Sequence, residues 1–145
     1  VITNRTLIEN LKVDIASKLS DKFSVRFNRN RSMFENDQTS LRCAIVVSKP
    51  YDRRDKYWYA YHPRQKMFLN DAKSGYFVLG CADSGYAFAI PSAVMDSIAE
   101  EMLTTSPNGD DSKRYHHVVI RCENGRHFIF AHPTKRELSI DEYRV

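Results

Sequence analysis

The stretch 75–91, GYFVLGCADSGYAFAIP, constrains the fold most, because two apolar runs, Tyr76–Ala82 and Tyr86–Ile90, flank Asp83-Ser84-Gly85. A short Asp/Ser/Gly turn between such runs specifies an antiparallel hairpin, and Pro91 stops its second strand. Upstream, Thr6-x-x-Glu9 has the form of a capping box, and Leu7, Leu11, Ile15 and Leu19 recur every four residues. That spacing predicts an amphipathic helix. After Ser20-Asp21 the period becomes two. Phe23, Val25 and Phe27 alternate with Ser24, Arg26 and Asn28, which predicts a strand with Arg26 in solvent. Residues 28–40 are polar and predict a loop or β-extension carrying Arg29 and Arg31. Leu41–Val47 is nearly apolar on both sides, with Arg42 the exception, and predicts a central strand.

Tyr57–His62 is a further strand. Tyr57, Tyr59 and Tyr61 share one face and Trp58, Ala60 and His62 the other. The tyrosines are expected inward with their hydroxyls bonded, leaving Trp58 beside His62 and Gln65. Pro63 suits the first position of a helix over Pro63–Lys73 that opens with Arg64, Gln65 and Lys66. Ser92 is placed to cap a helix over Ala93–Leu103, and residues 104–113 read as a loop. A second hairpin pairs Tyr115–Cys122 with Arg126–His132 around Glu123-Asn124-Gly125. With Cys122 opposite Arg126, His116 faces His132, and both share a core face with Val118, Ile120, Phe128 and Phe130. In the tail Leu138, Ile140 and Tyr143 are left to pack.

These elements predict one α+β domain over residues 1–145, with a central mixed or mostly antiparallel sheet of six to seven strands and three flanking helices. A start at Val1 rather than Met reads as a domain taken from a longer polypeptide, whose other domains would be partners. No apolar run exceeds strand length, so no membrane span is expected. Cys43, Cys81 and Cys122 each fall inside a strand pattern and read as buried thiols of a reducing cytoplasm. There is no Gly-rich phosphate loop and no serine elbow.

Charge supplies the functional signal. Residues 22–66 hold eleven Lys and Arg against four acids, a surplus of seven in a chain whose net charge is +4. Flat side chains are interleaved with these cations, the combination that nucleic acid meets with phosphate contacts and base stacking. The expected phosphate contacts are Arg26, Arg29, Arg31, Lys49, Arg53, Arg54, Lys56, Arg64 and Lys66. Gln65, Trp58, Tyr59 and His62 are the candidates for reading or stacking on bases. His62 and Lys49 are the candidates for chemistry, His62 as phosphate donor or general acid/base. DNA is placed ahead of RNA, and the competing class is a protein-interaction module with the tyrosine-rich strand at its centre.

The order of a capped N-terminal helix, a strand ending Val47-Ser48-Lys49, a further strand, and an apolar hairpin ending Ile90-Pro91 is similar to the core of PD-(D/E)xK nucleases of the restriction and Holliday-junction type. The likeness covers residues 6–103. In that family two acids, or an acid and an amide, hold Mg²⁺, and a lysine stabilises transition-state charge. The resemblance carries over Lys49 alone, with Glu35 or Asp37 as a possible first acid and Glu9 as a supplementary one. Val47 stands where the second acid or amide belongs, and a valine cannot ligate a metal. The resemblance therefore implies a DNA-binding relative without cleavage, no resident cofactor, and Mg²⁺ only if cleavage persists. The string SKPYDRRDKYWYAYHPRQKMFL is also similar to bacterial domains from restriction, defence or mobile-element neighbourhoods.

Overall fold

The computed structural model describes residues 4–51, 56–132 and 134–145. Helix α1 (Asn4–Phe23) is followed by strands β1 (Asn28–Asn30), β2 (Met33–Asn36), β3 (Leu41–Ser48) and β4 (Lys56–Tyr61). Then come helix α2 (Pro63–Asn70), β5 (Ser74–Cys81), β6 (Ala87–Pro91), helix α3 (Ser92–Ala99) and β7 (Thr104–Thr105). Strands β8 (Tyr115–Glu123), β9 (Arg126–Ala131) and β10 (Arg136–Ser139) complete the chain.

The α+β class is as the periodicity predicts, but the strands form two five-stranded sheets rather than one of six to seven. The first runs β1-β2-β3-β5-β6. Strand β3 is central, parallel to β5 and antiparallel to β2. The second runs β10-β9-β8-β4 with β7 against β8, and all its pairs are antiparallel. The split follows from the tyrosine strand. Tyr57, Tyr59 and Tyr61 are all buried, and the Tyr59 hydroxyl donates to the Gly80 carbonyl of β5 at 2.9 Å. Side chains of that length need a facing layer about 10 Å away, not a neighbouring strand.

Three layers result. On one face of the first sheet, Ile15 and Leu19 of α1 pack with Cys43, Ile45, Val78, Ala87 and Ala89. On the other, Phe77, Leu79, Phe88 and Ile90 meet the tyrosines, Val118, Ile120 and Ile129 of the second sheet, together with Leu69, Met95 and Ile98 of α2 and α3. Cys43 and Cys81 therefore belong to opposite faces, which separates two of the three thiols. Burial raises each to about 12. Cys122 is half-buried.

Several local expectations need correction. Helix α1 runs on to Phe23, because Ile15, Leu19 and Phe23 continue the four-residue apolar stripe, so no strand forms over 23–27 and β1 starts at Asn28. Ser24 closes the helix in the left-handed region (φ 54°), with Val25 N–H on the Ser20 carbonyl at 3.1 Å. Thr6 and Glu9 lie inside α1 rather than forming its cap, and the Glu9 carboxylate takes Arg29 at 2.6 Å. Of the two alternatives for 28–40, the β-extension is the one that forms, as the β1–β2 hairpin over 28–36. Helix α2 ends at Asn70, and α3 begins at Ser92 with Pro91 as N-cap and no side-chain cap bond. Residues 104–113 contain β7 and two short 3-10 turns.

The last hairpin turns on two residues, Asn124 (φ 53°) and Gly125 (φ 76°), so Cys122 faces His127 and Glu123 faces Arg126. His116 pairs with Tyr61 and Thr104 instead of His132. This one-residue shift reverses β9. His127, Ile129 and Ala131 are buried, while Phe128 and Phe130 face outward.

Candidate nucleic-acid interface

The candidate surface starts where β4 leaves the second sheet. Trp58 projects opposite the buried tyrosines and is 40% exposed. Its indole Nε1–H donates to His117 Nδ1 at 3.2 Å, which fixes the neutral His117 ring with its proton on Nε2, 2.6 Å from Thr105 Oγ1. Tyr115 stacks on His117 with ring centroids 5.4 Å apart and an interplanar angle of 17°. Trp58 stands edge-on to both rings. His62, the N-cap of α2, lies 5.0 Å from the Tyr115 ring. Burial first, and the nearby Arg64 charge second, lower the His62 pKa and keep the ring neutral at pH 7.

Two residues beyond His62, Arg64 lines a cleft of about 300 Å³ with Asn30, Arg31, Ser32 and Met33 at the tip of the β1–β2 hairpin. Arg31 sits there in the left-handed region (φ 57°). Among the described residues neither guanidinium has a hydrogen bond or ion pair, and no carboxylate lines the cleft. Arg31, Arg64, His62, Tyr115, His117 and Trp58 thus form one connected run.

The other expected phosphate and base contacts are distributed differently. Tyr59 is 3% exposed and Gln65 4%, and the Gln65 side-chain oxygen accepts the His62 backbone N–H at 2.8 Å. Neither presents a face to a base, because each is consumed in packing or in starting α2. Arg29 is held by Glu9 and by the Arg31 carbonyl. Arg26 follows α1, beside a separate polar cleft lined by Asp21 and Asp37. Lys66 is half-buried, Lys56 opens β4, and Arg53 and Arg54 lie outside the described residues.

Lys49 does not join His62. Ser48 Oγ accepts the Trp58 backbone N–H at 3.1 Å, which fixes Lys49 near the start of β4. His62 lies about 13 Å further along that strand. Lys49 shares its pocket with Leu7, Pro50, Ala82 and Asp83, and Asp83 accepts the Tyr57 hydroxyl at 2.6 Å. The acids suggested by the nuclease resemblance are elsewhere. Glu35 pairs with Arg42 at 3.3 Å, about 23 Å back along β3 from Lys49, and Glu9 pairs with Arg29. Val47 packs toward α1. Among the described residues no three of His, Cys, Asp and Glu converge, so this donor set does not fit a Mg²⁺ site.

Behind the interface lies a polar cluster that the sequence did not point to. The Tyr61 hydroxyl donates to Asp96 at 2.7 Å and Asn70 donates to the same carboxylate at 2.9 Å. His116 packs near Tyr61 with its Nδ1 buried and unpartnered. Burial, then the Lys66 charge, lowers the His116 pKa below its usual 6.5. The folded state therefore binds fewer protons than the unfolded chain, and stability from this neutral ring is complete above pH 6.5 and lost as pH falls through the lowered value. Urea midpoints measured from pH 7.5 to 5 should drop, and drop less in His116→Gln. Equal slopes in the two proteins would remove His116 as the cause.

No protein-family model, characterised protein or solved structure matches the chain. No helix among the described residues is long and apolar enough to cross a membrane.

Proposed function

We propose that this chain is a nucleic-acid-binding domain, for DNA ahead of RNA, that binds rather than cuts. The observation that carries the reading is the connected run from the unpaired Arg31 and Arg64 to the exposed Trp58, which offers phosphate-sized charge and a stacking surface side by side. The assignment to bacterial restriction, defence or mobile-element proteins of the cytoplasm rests on the sequence resemblance alone. His62 is a phosphate hydrogen-bond donor in this reading. Lys49 is a peripheral phosphate contact, and the acids the resemblance suggests, Glu35 and Glu9, pair with Arg42 and Arg29 instead.

The test is the salt dependence of binding. Replacing Arg31 and Arg64 together by Ala should weaken binding to duplex and lower the slope of log K against log salt by about 1.8, near 0.9 for each phosphate that is no longer neutralised. Both side chains are solvent-facing, so the melting temperature should stay within about 2 °C. A double variant with the parental slope would place the phosphate path elsewhere.

A further inference from the structure

The outward face of the second sheet carries more than Trp58. Register across its strands places Trp58 beside Val119, and the β8–β9 and β9–β10 pairings continue the row to Phe130 and Glu137. Two residues along, the next row reads Lys56, Arg121, Phe128 and Ser139. Arg121 rests its guanidinium over Phe130, 4.7 Å from the ring centroid. Val119, Arg121, Phe128 and Phe130 are half-buried, and none belongs to either hydrophobic cluster. No described element covers this face.

We propose that this open face takes an unpaired polynucleotide strand, with bases on Trp58, Phe128 and the Arg121–Phe130 pair and the backbone led in by Arg31 and Arg64. The inference deepens the nucleic-acid reading and rests on it. Trp58 and Phe130 stand two strand spacings apart, about 10 Å, which gives each base its own ring. The aromatic row and the row containing Lys56 and Arg121 are about 7 Å apart, so cations run parallel to the stacking positions. Flat rings on an open sheet stack only on bases whose faces are bare, and a duplex hides those faces between neighbouring pairs. A protein partner would meet the same rings. The charge argues against it, since the acids of the face, Glu123 and Glu137, stand at its margins by the hairpin turn and on edge strand β10, while Arg121 occupies its centre.

The experiment compares fluorescein-labelled oligothymidylate, oligouridylate and a hairpin duplex of equal nucleotide number, by anisotropy, with the parent, Phe128→Leu, Phe130→Leu and Arg121→Gln. Leucine keeps the apolar bulk and removes the π-face, and Arg121→Gln removes the central cation and its contact with Phe130 and should weaken single-strand binding more than duplex binding. Single strands should bind at least tenfold tighter than duplex. Each leucine variant should bind single strands about tenfold more weakly and duplex as the parent does. Equal affinity for the two oligonucleotides would make the sugar irrelevant, and a preference would identify the natural strand; both support the proposal. Duplex binding as tight as single-strand binding, with all three variants like the parent, would overturn this inference. Loss of binding in the Arg31/Arg64 double variant would then leave the broader reading standing. A parent that binds none of the probes, or that sediments as a dimer dissociated by Phe128→Glu, would overturn both.

Discussion

Tyr61→Ala should lower the stability of the domain by about 3–5 kcal/mol, a large part of the roughly 5–15 kcal/mol that holds a domain of this size together. Tyr61 is 1% exposed, its ring lies 4.6 Å from that of Phe77, and its hydroxyl donates to Asp96 between α2 and α3. Truncation leaves a cavity between the two sheets and takes away one of the two donors on Asp96. Tyr61→Phe separates these effects. It keeps the ring, leaves Asn70 on the carboxylate, and should cost about 1 kcal/mol. Burial and the Asp96 hydrogen bond both raise the Tyr61 pKa, so the phenol stays neutral across any practical pH range and the two variants need no pH correction. Urea unfolding followed by far-UV circular dichroism measures both. A Tyr61→Ala midpoint equal to the parent's would mean that the sheets are not joined through the tyrosine face.

That face was legible in the sequence because period two leaves no choice. Once Tyr57–His62 is a strand, the three tyrosines must point one way and Trp58 the other, and which side is core follows from three apolar rings against one. The hairpin around Asp83-Ser84-Gly85, the central β3 and the proline start of α2 were legible for similar local reasons. The number of sheets was not. Nothing in the residues of β3 and β4 says that they part into different layers, since that depends on β8 arriving from more than fifty residues downstream to pair with β4. The helix end at Phe23 was hidden because Phe23 satisfies both periods, continuing the stripe of Leu19 while also starting an alternation with Val25 and Phe27.

The interface was half legible for a sharper reason. Arg31, Arg64, His62 and Trp58 were visible as cations and rings, and Tyr115, His117 and Arg121 fell on the outward side of their strand, but Phe128 and Phe130 were hidden by one residue of register. Taking Glu123-Asn124-Gly125 as a three-residue turn sends Phe128 and Phe130 inward and His127 outward. The two-residue Asn124-Gly125 turn does the reverse. Asn-Gly is the strongest type I′ signal available, so the correct register was present in the sequence. Two phenylalanines on an open face also run against hydrophobic expectation, and that conflict supports the proposed binding surface. Tyr59 and Gln65 erred in the opposite direction, as polar-capable residues whose polar atoms are spent inside the fold.

Trp58→Ala should weaken single-strand binding by about 1–3 kcal/mol, the worth of one base stack, while the melting temperature shifts only slightly. Trp58 is 40% exposed and belongs to neither hydrophobic cluster, and within the fold its indole stands edge-on to Tyr115 and His117 and donates an exposed hydrogen bond to His117. Trp58 is the only tryptophan, so the parent's emission reports on this position alone. It should be centred at the long wavelengths of a wetted indole and be quenched by oligothymidylate. The His117 acceptor supplies an internal control. His117→Phe removes the partner of the indole N–H but keeps a ring beneath Tyr115, so it should red-shift the emission without abolishing the quench. Trp58→Phe, which retains a flat face, should recover most of the affinity that alanine removes. A blue-shifted emission insensitive to oligonucleotide, with Trp58→Ala unfolding the domain, would assign Trp58 to the core. Stacking would then fall to Phe128 and Phe130 alone, two strands away on the same face.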